Sequence, residues 1–116
     1  MDVKYDRLNG ILIVDIIEEI DHHSTVKIRT RIDYEIEKNM PKITIFNFRN
    51  VTFMDSAGIG MLIGRYKLAS CFGGKLYMTN VKSNIKKIFE MTGVLKIVPI
   101  IENLEEVGGK EIEQCI

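Results

Sequence analysis

An apolar run that leads into a glycine-bearing helix constrains the fold of this chain more than any other stretch. The run Ile43–Phe48 has the length and the branched and aromatic content of a strand. After a short polar connection, apolar residues recur at helical spacing from Ser56 to about Phe72. Gly73-Gly74 ends the segment, since glycine readily adopts the left-handed conformation past a helix end. The pattern predicts a central strand, a turn and a helix that begins at Ser56.

A β-hairpin and a helix are predicted before this strand. Val3–Leu8 and Ile11–Ile16 are rich in branched residues and are separated by Asn9-Gly10, the pair typical of a type I′ turn, in which both central residues need positive φ. Asp21 or Ser24 can cap a helix that runs to about Asn39. Its apolar residues recur at every fourth position and predict one buried stripe: Ile28, Ile32, Ile36 and Met40.

Three further segments complete the pattern. They are a strand at Lys75–Thr79, a short helix at Ser83–Met91 and a last strand at Leu95–Ile101. Pro99 limits the last strand to a sheet edge. Glu102–Gln114 has helical spacing, which Gly108-Gly109 interrupts. The order ββαβαβαβ(α) predicts one α/β domain over residues 1–116, with a mixed sheet of four to five strands and crossover helices.

Composition and charge disfavour several functional classes. Lys plus Arg equals Asp plus Glu at 16 each, so no net field attracts the chain to nucleic acid or to acidic membranes. No run approaches the roughly 20 apolar residues that span a bilayer, and the first residues have no signal-peptide core. Cys71 and Cys115 have neither metal-binding nor redox spacing. We expect a cytoplasmic protein that binds neither nucleic acid nor a membrane.

The serine turn carries the main functional hypothesis. Ser56 is predicted as the N-cap of its helix, where its hydroxyl would accept a bond from a first-turn amide. A phosphoryl group there would face free amides and the positive end of the helix dipole. Of the glycines, Gly58 is assigned to close approach by a partner and Gly64 to packing, while Gly60 is left between the two.

Two acidic residues stand at helix starts. Asp55 either hydrogen-bonds the turn backbone or presents a carboxylate to a partner. Asp21 precedes His22 and His23, whose adjacent rings point in different directions on a helix, so no metal site is expected there. If both helix starts lie at one end of the sheet, the segments 21–23 and 54–60 form one surface.

The spacings of three enzyme sites are missing around Ser56. The glycines at 58, 60 and 64 do not have the dinucleotide-binding spacing, and no Gly-Lys-Ser/Thr occurs in the chain. The hydrolase motif Gly-x-Ser-x-Gly fails because Met54 stands two residues before Ser56. We therefore expect no catalytic residue, no cofactor and no enzymatic activity.

At this turn the sequence resembles a known family. Met54–Gly60 and Gly64–Lys67 resemble the signature of the anti-sigma factor antagonists of the STAS superfamily, and Asp21-His22-His23 and Met91–Ile97 resemble its sporulation members most. Ala57 departs from the Ser or Thr often found there, which leaves Ser56 as the acceptor. A general-stress antagonist, another STAS signalling module and a nucleotide-binding enzyme remain open as alternatives.

The resemblance implies a phosphorylation switch. The unphosphorylated antagonist would bind the anti-sigma factor, a serine kinase, and so release a sigma factor for sporulation transcription. The kinase would phosphorylate Ser56, and a metal-dependent serine phosphatase would reset it. The partner-binding residues implied are Asp21, His22, His23, Asp55, Ser56, Ala57, Gly58, Ile59 and Gly60.

Overall fold

The sheet joins a hairpin to two parallel crossover units. The computed structural model describes residues 1–102. Within them the strands are β1 (Asp2–Asp6), β2 (Ile11–Asp15), β3 (Ile43–Asn47) and β4 (Lys75–Thr79), and the helices are α1 (Ser24–Asn39), α2 (Ser56–Cys71) and α3 (Ser83–Thr92). The strands are hydrogen-bonded in the order β1-β2-β3-β4, with β1 antiparallel to β2 and the other pairs parallel. The predicted α/β fold with a mixed sheet and crossover helices is confirmed.

The helices bury their apolar residues against one face of the sheet. Even-numbered residues of β2 and β3, such as Leu12 and Phe46, share a buried cluster with apolar residues of all three helices. Successive side chains of a strand alternate between the two faces, so Ile13 and Ile45 belong to a separate, smaller cluster that also contains Ile101. The helices α1 and α2 pack against each other on the face of the sheet that carries the larger cluster. Both helices begin beyond the carboxyl edge of the parallel strands.

The isoleucine stripe of α1 is buried as predicted, except at its end. Ile28, Ile32 and Ile36 are almost completely buried, whereas Met40 is 58% exposed. Met40 has φ +44° and ψ +56°, the left-handed conformation, and its N–H still donates to the carbonyl of Ile36. The prediction that Met40 belongs to the buried stripe is wrong, because the periodicity holds only while the helix continues.

The N-terminal hairpin is confirmed, but its turn is not type I′. Asp6 pairs with Ile11, so four residues connect the strands. The Asp6 carboxylate accepts hydrogen bonds from the N–H groups of Leu8 (3.0 Å) and Asn9 (3.3 Å). Gly10 has a φ of +68°, while Asn9 is not among the described residues with positive φ. Side-chain hydrogen bonding by Asp6 therefore shapes this turn in place of the Asn-Gly geometry.

The last strand predicted at Leu95–Ile101 is reduced to its end, where Ile100 pairs in parallel with Met78 at the β4 edge of the sheet. Its first part lies in a 3₁₀ helix, Val94–Lys96, and only an isolated bridge joins Ile100 to Met78 of β4. Val94 and Val98 are both buried in the cluster under the helices. This spacing of four residues is helical, so the side chains before Pro99 do not alternate between the two faces of the sheet as those of a strand would.

Two remaining sequence predictions concern the end of the chain and the membrane. The predicted helix at Glu102–Gln114 lies outside the described residues, apart from Glu102 itself. Among the helices of residues 1–102, none combines the length and the apolar content needed to cross a bilayer.

Candidate functional site

The two polar segments singled out in the sequence meet at one edge of the sheet. The segment that follows β2 and the segment that follows β3 run in parallel, with Ile20 bridged to Met54. The Ile20 N–H donates to the Phe53 carbonyl at 3.0 Å, and the Asp55 N–H donates to the Ile20 carbonyl at 3.0 Å. Carboxyl ends of adjacent parallel strands lie at the same sheet edge, so this pairing brings residues 21–23 beside residues 54–60.

A single carboxylate, that of Asp55, binds both segments. Its Oδ1 accepts a hydrogen bond from the N–H of Ala57 at 2.9 Å, and its Oδ2 accepts one from the N–H of His22 at 3.2 Å. Asp55 has extended backbone geometry and is the N-cap of α2. Of the two roles considered for Asp55, the structure therefore shows hydrogen bonding to the turn backbone.

Ser56 is the first residue of α2 and not its cap, so the predicted capping role is wrong. Because the Asp55 carboxylate occupies the capping position, the Ser56 hydroxyl is not needed there. The Ser56 side chain is exposed, and it has no hydrogen bond within residues 1–102. The hydroxyl at this helix start is therefore available to another molecule.

The Asp21 carboxylate binds the turn that leads into α1, whose N-cap residue is His23. Its Oδ1 accepts hydrogen bonds from the N–H groups of Ser24 (2.8 Å) and His23 (2.9 Å). The Ser24 N–H, together with the weaker bond from His23, holds the pKa of the Asp21 carboxyl below its usual value, against a partial desolvation that raises it. His22 and His23 are exposed, with ring centroids 5.9 Å apart. In residues 1–102 no group of three or more His, Cys, Asp or Glu side chains could hold a metal.

The structure reverses the roles predicted for Gly58 and Gly64 and places Gly60, which the sequence leaves undecided, with the open positions. Gly58 is buried, and a Cβ there would lie 2.4 Å from Met54 Cγ and 2.9 Å from Ile20 Cγ2. A Cβ at Gly60 or Gly64 would meet nothing within 4 Å. Gly58 therefore permits close packing of the Ser56 turn on the neighbouring segment, while Gly60 and Gly64 leave the outer side of the helix open.

The remaining predicted site residues surround Ser56 at different depths. Ala57 and Ile59 are half-buried, and Ile59 packs against the main core cluster. Gly60 is exposed. The predicted site residues therefore include two exposed histidines, exposed helix backbone at Gly60 and the half-buried Asp55.

A groove between α1 and α2 extends this surface, and sequence reasoning missed it. Its lining includes His22, Val26 and Arg29 on one side and Gly60, Gly64 and Arg65 on the other. Arg65 is only 8% exposed, four residues after buried Met61 and therefore on the buried side of α2. A charged residue at an apolar position of the helical pattern was the signal available in the sequence.

Within residues 1–102, Arg65 makes one ion pair. Its Nε lies 2.6 Å from Oδ1 of Asp33, but the two atoms do not have the geometry of a hydrogen bond. Burial lowers the pKa of the Arg65 guanidinium, Asp33 partly offsets this effect, and the positive charge of Arg29 lowers the pKa further. Within the described part of the chain, Nη1 of Arg65 is buried without a hydrogen-bond partner.

Comparison with known proteins identifies relatives along most of the chain. The family model described as STAS domain matches residues 2–107. The chain is 32% identical over 103 residues to the anti-sigma F factor antagonist of Paenibacillus polymyxa, which covers 89% of this chain and 88% of that protein. It is 31% identical over 110 residues to the anti-sigma-B factor antagonist of Bacillus subtilis (strain 168), which covers 94% of each.

Solved structures share the fold. The anti-sigma factor antagonist SpoIIAA in its unphosphorylated form aligns with a TM-score of 0.73 and 24% identity over 90% of both chains. The phosphorylated form of the Bacillus cell fate determinant SpoIIAA aligns with a TM-score of 0.67 and 23% identity, over 99% of this chain and 100% of that one. The resemblance predicted from the serine turn is confirmed, and the chain belongs to the STAS domain family.

Proposed function

We propose that this protein is an anti-sigma factor antagonist whose binding is switched off by phosphorylation of Ser56. The observation that carries the proposal is the exposed Ser56 hydroxyl at the first residue of α2, where Asp55 already supplies the cap. The relatives in Paenibacillus polymyxa and Bacillus subtilis are anti-sigma factor antagonists, and SpoIIAA exists in phosphorylated and unphosphorylated forms.

The helix start accommodates both states of the serine. A phosphate adds about −1.5 to −2 charges at pH 7. At the start of α2 this charge faces the positive end of the helix dipole, which favours anions. The fold therefore tolerates the modification, and the phosphate changes the charge of the binding surface.

The charge acts on the partner. The unphosphorylated surface of Asp21, His22 and His23 and of residues 55–60 binds an anti-sigma factor that is a serine kinase, and ATP and Mg²⁺ are held by that kinase. A phosphate at Ser56 repels anionic groups across the contact and must be desolvated there. A loss of about 3 kcal/mol weakens binding roughly a hundredfold, which is enough to release the partner.

A metal-dependent serine phosphatase resets the switch in the cytoplasm, and the antagonist itself performs no catalysis. Incubation of the purified chain with ATP or GTP, in the absence of a partner, tests this last point. We expect no turnover of either nucleotide. Turnover that persists through purification would support an enzyme in place of a binding module.

Regulation of the sporulation sigma factor F is the first candidate, since Asp21-His22-His23 resembles sporulation members of the family. Regulation of the stress sigma factor B is the second, because the Bacillus subtilis antagonist is similar to this chain over 94% of its length. Titration of the chain with purified anti-sigma factors of both types separates the two candidates. The type of anti-sigma factor that binds more tightly identifies which sigma factor is regulated.

The decisive experiment combines a kinase assay with a binding assay. The chain is incubated with the cognate anti-sigma factor, ATP and Mg²⁺, and the modified residue is mapped by mass spectrometry. We expect one phosphate, on Ser56. Ser56→Ala should bind the anti-sigma factor and resist phosphorylation, while Ser56→Asp should fold but bind about a hundredfold more weakly.

Ser83→Ala is the matched control for these variants. Ser83 is also an exposed first residue of a helix, α3, so its replacement tests whether any helix-start serine serves as acceptor. Ser83→Ala should be phosphorylated and bound like the wild type. A phosphate on another residue, or tight binding by Ser56→Asp, contradicts the proposal.

A further inference from the structure

The groove between α1 and α2 contains a buried guanidinium whose hydrogen-bond donors are not all satisfied within residues 1–102. Arg65 is 8% exposed, and its only ion pair in residues 1–102 is with Asp33 through Nε. Its Nη1 is buried and has no hydrogen-bond partner there. Buried polar groups are hydrogen-bonded in the great majority of cases, and a buried charged donor left unpaired is costly. The unpaired donor therefore indicates a place for an anionic group.

A second arginine strengthens the positive field at the same place. Arg29 of α1 lines the groove with Arg65, and its charge acts on the Arg65 guanidinium. No Asp or Glu is among the residues lining the groove in the described part of the chain. A chain with 16 positive and 16 negative side chains thus has a locally cationic groove, and an anion placed between the two arginines would relieve their mutual repulsion.

The walls of the groove suit a protein segment. Gly60 and Gly64 present bare helix backbone, and a Cβ added at either glycine would meet nothing within 4 Å. Val26 opposite them is 54% exposed. A segment of a partner can approach such a backbone closely. The groove also includes Ala57, the residue next to Ser56, so it is continuous with the surface assigned to the anti-sigma factor.

We propose that this groove binds an acidic segment of the anti-sigma factor, with one carboxylate of that segment paired to Arg65 and Arg29. This inference rests on the proposed function and adds the chemistry of the partner. The planar guanidinium is suited to bidentate pairing with a carboxylate. Side-chain rotamer changes are common when interfaces form, and a rotation of the Arg65 guanidinium presents Nη1 to the groove.

The test measures the dissociation constant of the purified anti-sigma factor with charge variants of this chain. Arg29→Glu reverses the charge of the exposed member of the pair, and we expect it to raise Kd about tenfold or more. Lys27→Glu is the matched control, because Lys27 is exposed on the same helix and does not line the groove. It makes the same change in net charge and should alter Kd by less than about threefold.

A third variant places an anion in the groove from within. Gly64→Glu puts a carboxylate in the open space near both arginines and replaces glycine by a better helix former. We expect its thermal stability to equal or exceed that of the wild type and its Kd to rise about tenfold or more. Because the fold is retained, a loss of binding cannot be attributed to unfolding.

The outcomes distinguish the inference from the function on which it rests. If the wild type binds and Arg29→Glu and Gly64→Glu bind as tightly as Lys27→Glu, the acidic segment does not occupy the groove. If the wild type does not bind the anti-sigma factor at all, the proposed function itself fails. Weaker binding by both groove variants, with Ser56 still phosphorylated at high protein concentration, supports the inference.

Discussion

Replacing Gly58 by alanine tests the packing that holds the Ser56 turn in place. An added Cβ would lie 2.4 Å from Met54 Cγ, 2.8 Å from Met54 Sδ and 2.9 Å from Ile20 Cγ2. The methionine side chain is flexible, but Met54 is 3% exposed and Ile20 is fully buried, so any shift must displace neighbouring core side chains. The backbone of Ile20 is also held by hydrogen bonds to the backbone of Phe53 and Asp55.

The expected magnitude follows from two opposing effects. Overpacking of a well-packed core costs about 1–3 kcal/mol, and the crowding of a β-branched neighbour favours the upper part of this range. Exchange of glycine for alanine inside a helix stabilises by about 1 kcal/mol. We therefore expect Gly58→Ala to lower the free energy of unfolding by about 1–2 kcal/mol.

Gly60→Ala in the same helix is the control with the opposite sign. A Cβ at Gly60 meets nothing within 4 Å, so only the helix effect applies and the free energy of unfolding should rise by about 1 kcal/mol. The two variants should differ by about 2–3 kcal/mol, or about 10 °C in Tm for a domain of this size. Urea denaturation and thermal melts measure both. Equal stability of the two alanine variants would refute the packing role of Gly58.

Three further changes probe the two helix starts and one helix end. Asp55→Ala removes the acceptor for the N–H groups of Ala57 and His22 and should cost about 1–2 kcal/mol in urea denaturation; an unchanged midpoint would contradict the capping role. The folded chain holds the pKa of Asp21 below its usual value of 3.8, so the stability it contributes is complete above that value and is lost as pH falls through the folded pKa. The difference in Tm between the wild type and Asp21→Ala should therefore be constant from about pH 7 to about pH 5 and narrow below pH 3.8; a gap that widens in acid would reverse the sign. Met40→Gly relieves a left-handed conformation at an exposed residue and should raise stability by roughly 0.5–1 kcal/mol, and a lower Tm would show that the methionine side chain is needed.

Local patterns predicted the elements well where one local rule decided the structure. The stripe Ile28, Ile32 and Ile36 and the glycine at the end of α3 are confirmed, because helical spacing and left-handed backbone are properties of short segments. The predictions failed where neighbours competed for the same role. Asp55 and Ser56 both suit a capping position, and the spacing of Val94 and Val98 overrode a run that otherwise resembled a strand.

The sequence by itself determined the order of strands and helices, the serine at the start of α2 and the family to which the chain belongs. These features depend on periodicity and on a contiguous motif, which are visible along the chain. Only the tertiary structure decided which glycine packs and which is open, and that the Asp55 carboxylate bridges to the backbone of His22. It alone brought Arg29 and Arg65 to one groove. The physical reason is that Ile20 and Gly58, His22 and Asp55, and Arg29 and Arg65 are each more than 30 residues apart in the chain. Their contacts depend on how the parallel strands set two helix starts side by side.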